Sequence, residues 1–403
     1  MANQMMVNKR ETSIVLLVTA AMACYRYYIH PQNPLSTDQN MFTWYDQSQY
    51  ISIARILSNF HVPMGGAEYS YGLGFPIVGV PFIWLGLDRD PFIIPSIVLM
   101  SLSMLFTYLV AARLASRMVA AITVVLLLVA SPLLSLTVVP WSTTITTFGL
   151  TAALALATSP RGLSWVAGVL YGAIAAWVFS ARFIDVVPIV AVASWAILTS
   201  RAAHRWWKAT VGALVAGAGA LVVAITQWIS FGSPLITPYA FHLRDTGVND
   251  QSLGQYQILL IGNHFLETFI TGLSGGVRVA ADPLLAASPY MILIPLGFGI
   301  AIWSRIGLRS LHITVFSASL LLTAVYLSFV AGAGQDLIYA SVRYWIEFYP
   351  YWTILCVIAG RWAFEWMTRG GEHRSVGVVS SEDSPSLSQD DSAVLSPESS
   401  GHA

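Results

Sequence analysis

Charged side chains make up only 10% of the 403 residues, so each one set among apolar and aromatic neighbours is a candidate for chemistry. The stretch Phe42–Leu57, FTWYDQSQYISIARIL, holds one carboxylate, Asp46, followed by the amide of Gln47. A carboxylate can take a proton from a reacting group as a general base, whereas an amide can only hydrogen-bond. Arg182 in FSARFIDVVP and Arg343 in SVRYWIEFYP stand at the ends of apolar runs. A guanidinium grips an anion through two parallel hydrogen bonds, and charges at membrane depth are costly and usually functional. Each residue also has a structural alternative. Thr43-x-x-Asp46 resembles a helix-capping box, although the usual acid there is Glu. Arg182 can pair with Asp185, and Arg343 with Glu347 one helical turn on. Arg55 can snorkel or pair, and His61 reads more simply as a structural histidine.

The elements that must position these side chains are membrane helices. Hydrophobic residues reach 56% and the mean hydropathy is +0.66, whereas a soluble chain carries roughly 25% charged residues. The apolar residues come in runs near the ~20 that a helix needs to cross ~30 Å of hydrocarbon. Alternation at period two is absent, which argues against a β-barrel. Candidate spans are Ser13–Ile29, Pro91–Leu114, Met118–Val139, Thr144–Thr158, Leu163–Ser180, Val186–Thr199, Thr210–Phe231, Pro289–Ser304, Leu311–Ala331 and Tyr344–Gly360. No small-residue cleavage site follows the first, so it reads as a retained span rather than a signal peptide. The expected fold is an all-α polytopic integral membrane protein of about ten helices, with surface helices in the first outer loop.

An eleventh apolar run, Tyr71–Leu87, holds Gly72, Gly74, Pro76, Gly79 and Pro81, a poor composition for a lipid-facing helix. If it turns back without crossing, Lys9, Arg10, Arg113, Arg117, Arg161, Arg201, Arg205, Lys208, Arg305, Arg309, Arg361, Arg369 and Arg374 all fall on one side. That side is then cytoplasmic and holds both termini. A crossing at Tyr71–Leu87 would turn every later basic loop outward. The outer loops are residues 30–90 and 232–288, inside a transmembrane domain of residues 1–369. Residues 370–403, rich in Ser, Asp and Glu without an aromatic residue, read as a disordered cytoplasmic tail.

Several functions are disfavoured. Net charge is zero, so nothing points to nucleic acid. Cys24 and Cys356 lie in apolar runs at opposite ends of the chain and suggest neither a disulfide nor a metal site. His242 and His264 are too far apart to imply metal binding; a divalent metal has no ligand cluster to support it. Walker, dinucleotide, nucleophile-elbow and HExxH motifs are missing from the sequence.

The order of these features carries a resemblance. A first span is followed by Asp46 in a surface helix, then by the Gly/Pro-rich YSYGLGFPIVGVPF of Tyr69–Phe82, then by a second span ending AARLASR. This is similar to the glycosyltransferase-C superfamily, in particular protein O-mannosyltransferases and lipid A aminoarabinose transferases. Arg182 matches an arginine at the outer end of a middle span, and Arg343-Tyr344 resembles the family's Arg-Tyr motif. Phe231–Tyr239 is similar to the opening of a late outer loop. Gln47 stands where the family has a second acid, and Phe75-Pro76 replaces Lys-Pro.

The resemblance implies a membrane enzyme of the cell envelope that moves a sugar from polyprenyl phosphate to a hydroxyl of a glycan, lipid or protein, with inversion, on the extracytoplasmic face of the plasma membrane. It makes Asp46 the base. Arg182 and Arg343 become ligands of the departing phosphate, which needs cations rather than a general acid. Gln47, Tyr69 and Tyr344 are further donor-binding candidates, although Trp44, Tyr45, Tyr69 and Tyr71 also suit an interfacial aromatic belt that contacts membrane lipid. The competing reading is a transporter or flippase, which predicts internal repeats and mid-membrane charges; repeats are not evident, and the charges gather at outer ends.

Overall fold

The computed structural model describes residues 9–29, 45–69, 71–137, 141–160, 162–234, 238, 288–303, 308–332 and 345–375. The described residues form helices and turns without a strand. In chain order the α-helices are α1 (Lys9–Ile29), α2 (Tyr45–Ser58), α3 (Gly65–Glu68), α4 (Pro76–Trp84), α5 (Ile93–Leu114), α6 (Arg117–Val129), α7 (Thr143–Ala157), α8 (Trp165–Ala181), α9 (Val186–Thr199), α10 (Arg205–Phe231), α11 (Ile294–Trp303), α12 (Arg309–Gly332) and α13 (Tyr349–Ser375). Three of them, α1, α5 and α10, are long and apolar enough to cross a membrane.

Each of the ten apolar runs coincides with a helix, and proline sets several boundaries. The run Met118–Val139 is helical only to Val129 and continues as a 3-10 turn, Pro132–Thr137. Pro132 lacks the N–H that an α-helix needs, and its ring disfavours α geometry at Ser131. Pro289 opens another 3-10 turn, and Pro350 sits in the first turn of α13, where a missing N–H costs nothing. The last helix overruns its expected end at Gly360 and continues through Gly370–Ser375, into the stretch read as a tail. Residues 376–403 lie outside the described ones.

Side-chain contacts fix which helix ends lie together. Tyr27, near the end of α1, donates to Asp90 Oδ2 at 2.8 Å, just before α5 begins. At the other end Glu11 pairs with Arg117 at 3.1 Å and accepts from the Tyr108 hydroxyl. Thus α1 and α5 are antiparallel, and the loop between them starts and finishes at one end of the bundle. Helix α4 within that loop has nine residues, a rise of about 14 Å, less than half of the ~30 Å hydrocarbon core. Arg113 caps the C-terminus of α7 through the Ala155 carbonyl at 2.7 Å, and Arg361 reaches Ser116. These basic groups therefore share the end that holds Glu11.

Close packing joins α8 to α10. A methyl group at Gly168 would meet the Lys208 carbonyl, and one at Gly172 the Gly212 carbonyl, while Gly219 abuts Ala176. Small residues at this spacing let two helix backbones approach, which is how helices associate where no water drives them together. The rising pairs show that α8 and α10 run parallel, so α9 returns between them. Several buried hydroxyls are satisfied locally: Ser103, Thr107, Thr147 and Thr151 each donate to a carbonyl one turn earlier.

Candidate active site

Helix α2 carries Asp46 in its first turn. The buried set is Gln47, Tyr50, Ile51, Ile53 and Ala54, a face turned toward Gln47. Tertiary contacts set that rotation. The Tyr50 hydroxyl lies 3.1 Å from Ser142 Oγ at the start of α7, and its ring meets Phe75 edge-on and Tyr71 at a tilt. Gln47 is 1% exposed, and its amide nitrogen has no hydrogen-bond partner among the described residues. A buried donor left open costs stability, so such groups call for an explanation. The side chain of Asp46 lies outside the described ones.

The glycine-rich segment after α3 is a strap clamped onto the end of α8. Gly74 N–H donates to the Ser180 carbonyl at 3.1 Å, and the Trp177 indole donates back to the Gly74 carbonyl at 2.8 Å. A side chain at Gly72 would collide with the Ser180 carbonyl, and one at Gly74 with the Ser180 hydroxyl. These glycines are needed for close approach of two backbones. The strap thereby meets the helix end that Arg182 caps.

Arg182 leaves α8 with an extended backbone, φ −152° and ψ 99°. Its Nε lies 3.0 Å from Asp185 Oδ2, across the 3-10 turn Phe183–Asp185 that leads into α9. The Asp185 side chain is fully buried and that of Arg182 is 16% exposed. Glu347 joins them from the 3-10 turn Ile346–Phe348, which precedes α13 and packs on α7. It is 2% exposed, and its carboxylate neighbours Asp185, Arg182 and Thr146. Two acids share one arginine.

The sequence offered Asp185 as a partner of Arg182, which the structure bears out, but did not bring Glu347 to that arginine. The sequence offers Glu347 as a possible partner of Arg343 one turn away, a pairing that falls outside the described residues; Glu347 itself sits in a 3-10 turn beside the end of α8 and the start of α9. One signal was available: each acid interrupts an apolar run, where a charge is a functional hypothesis by default. Arg343 and Tyr344 lie outside the described residues.

The other candidates fall elsewhere. Tyr69 is buried and stacks on Phe231 at the end of α10, with ring centroids 5.1 Å apart, and burial raises its pKa. Arg55 donates to the Asp88 carbonyl at 3.1 Å, and His61 Nδ1 is 2.7 Å from the Asn59 carbonyl. Among the described residues, no group of three His, Cys, Asp or Glu side chains can hold a metal; His242 and His264 lie outside them.

Neither a protein-family model nor a curated protein matches the sequence. Solved structures do. Against the Archaeoglobus fulgidus oligosaccharyltransferase in its apo form the TM-score is 0.52 at 14% identity, covering 93% of this chain and 53% of that one. The same enzyme tethered to an acceptor peptide containing the NVT sequon gives 0.53 at 14% identity, covering 93% and 52%. The two share a fold. A third structure, the complex with Zn and sulfate, gives 0.50 at 15% identity, over 88% of this chain and 49% of that one. The chain thus spans about half the length of the oligosaccharyltransferase that it resembles. At this identity the likeness is one of fold alone.

Proposed function

We propose that this chain is a membrane glycosyltransferase of the glycosyltransferase-C type, moving a sugar from a polyprenyl-phosphate donor to a hydroxyl of a glycan, lipid or protein. The observation that carries this reading is the convergence at one end of the bundle. Helix α2 with Asp46, the glycine strap, the starts of α7 and α9 and the end of α8 with Arg182 all meet there, in a fold shared with an oligosaccharyltransferase. That neighbour's acceptor peptide supports a protein acceptor among the three classes.

In the proposed reaction Asp46 accepts the acceptor hydroxyl's proton. The oxygen bonds to the anomeric carbon from the face opposite the leaving group, and the bond from that carbon to the phosphate oxygen breaks with its electrons going to the phosphate. Arg182 and Arg343 stabilise the charge that develops there. Gln47, Tyr69 and Tyr344 contact the donor. A guanidinium has five N–H donors, so the Asp185 bond through Nε orients Arg182 without exhausting it. The chain crosses the plasma membrane ten times, with both termini cytoplasmic and this end of the bundle outside.

The test is transfer itself. Purified protein is incubated with polyprenyl phosphate bearing radiolabelled sugars and a membrane extract as acceptor source. Label should leave the lipid for a new product with wild type and stay with Asp46→Asn. Complete retention on the lipid with wild-type protein would overturn the assignment.

A further inference from the structure

Helix α2 ends against a rule of local structure. Its last carbonyls are closed by His61 N–H to Ile56 O and Phe60 N–H to Leu57 O, the paired bonds of a helix stop whose C′ residue is left-handed. That residue is normally glycine, sometimes asparagine. Here it is Phe60, at φ 59°, although Asn59 is next to it. A bulky side chain in this conformation is strained. The Phe60 ring is nevertheless 86% exposed, stacked on Trp84 at 5.6 Å. Trp84 is itself 56% exposed, with its indole N–H turned inward to the Ser58 carbonyl at 2.9 Å. Leu85 and Leu87 extend the exposed apolar surface.

The position of the patch says what covers it. Asp88, Arg89 and Asp90 follow at once, Arg55 binds the Asp88 carbonyl, and α5 starts at Ile93 as a helix of membrane length. The patch therefore stands at the boundary where a spanning helix leaves the hydrocarbon. Exposed aromatic rings beside arginines are the composition of a bilayer interface, where the rings sit at headgroup level and the cations meet lipid phosphates. We infer that Phe60 and Trp84 form a wedge into the leaflet at this end of the bundle, holding the C-terminus of α2 at headgroup depth, with Arg55 and Arg89 on lipid phosphates. The strained backbone at Phe60 is what turns its ring outward. This assignment does not depend on the reaction that the chain performs.

The test uses the full chain with Cys24→Ser and Cys356→Ala, in vesicles of phosphatidylcholine and phosphatidylglycerol. Nitroxides at Phe60→Cys and Leu85→Cys should collide severalfold more often with oxygen than with a water-soluble nickel chelate. The opposite ratio at both sites would place the patch in water and overturn the inference. Spin–spin broadening between labels would show a second copy on the patch and overturn it as well. A measurement on the unlabelled protein guards against a misfolded variant: brominated lipids should quench wild-type fluorescence more than that of Trp84→Phe, and equal quenching counts against the wedge.

Discussion

Arg182 Nε and Asp185 Oδ2 lie 3.0 Å apart at the junction of α8 and α9, and the buried carboxylate of Glu347, 162 positions beyond Asp185, stands beside both. One cation thus serves two acids brought together from distant parts of the chain. Arg182→Gln strands them. Breaking a buried ion pair by removing one partner costs about 3–5 kcal/mol, so this variant should unfold at markedly lower denaturant than wild type. Arg182→Gln combined with Glu347→Gln should recover part of the loss, since only one carboxylate then remains. Additive losses in that double-mutant cycle would mean that the two residues do not interact.

The glycine strap tests the positioning of the site. Trp177→Phe keeps an aromatic ring against Phe148, with which Trp177 makes an edge-on contact, and loses the bond to the Gly74 carbonyl. A net loss of about 1 kcal/mol is expected, as for an ordinary hydrogen bond. Gly74→Ala forces two backbones apart and should cost more, with transfer activity falling alongside stability. Wild-type stability in Gly74→Ala would show that the strap is not clamped to α8.

Arg182→Lys separates charge from geometry. The lysine keeps a cation between Asp185 and Glu347, so stability should change little beside the loss in Arg182→Gln. It lacks the planar fork, so KM for the polyprenyl-phosphate donor should rise. Unchanged donor KM in both Arg182→Lys and a folded Arg182→Ala would remove Arg182 from phosphate binding.

Asp46→Asn isolates the base. Asparagine caps a helix about as well as aspartate, so a capping role predicts normal activity. A general base predicts normal folding and donor binding with turnover reduced by roughly 10²–10⁴. Turnover and thermal stability of this single variant distinguish the two roles.

The helical membrane character of the chain, the place of its apolar runs and the pairing of Arg182 with Asp185 were legible in the sequence. Helices follow from local composition: a run of apolar residues satisfies its backbone internally wherever it lies, and proline marks its limits. The uneven distribution of Lys and Arg between loops was enough to suggest that Tyr71–Leu87 folds back, because basic residues concentrate in cytoplasmic loops. Rotation and partnership are different quantities. Which face of α2 turns inward depends on Ser142, Phe75 and Tyr71, none of which belongs to that helix. That Glu347 stands beside Arg182 depends on a 3-10 turn and on how that turn packs against α7, and local periodicity carries no record of either. Only the packed bundle brings Asp185 and Glu347 to the same arginine, because burial of two acids is tolerable only where a cation or a proton from the tertiary arrangement offsets their charge.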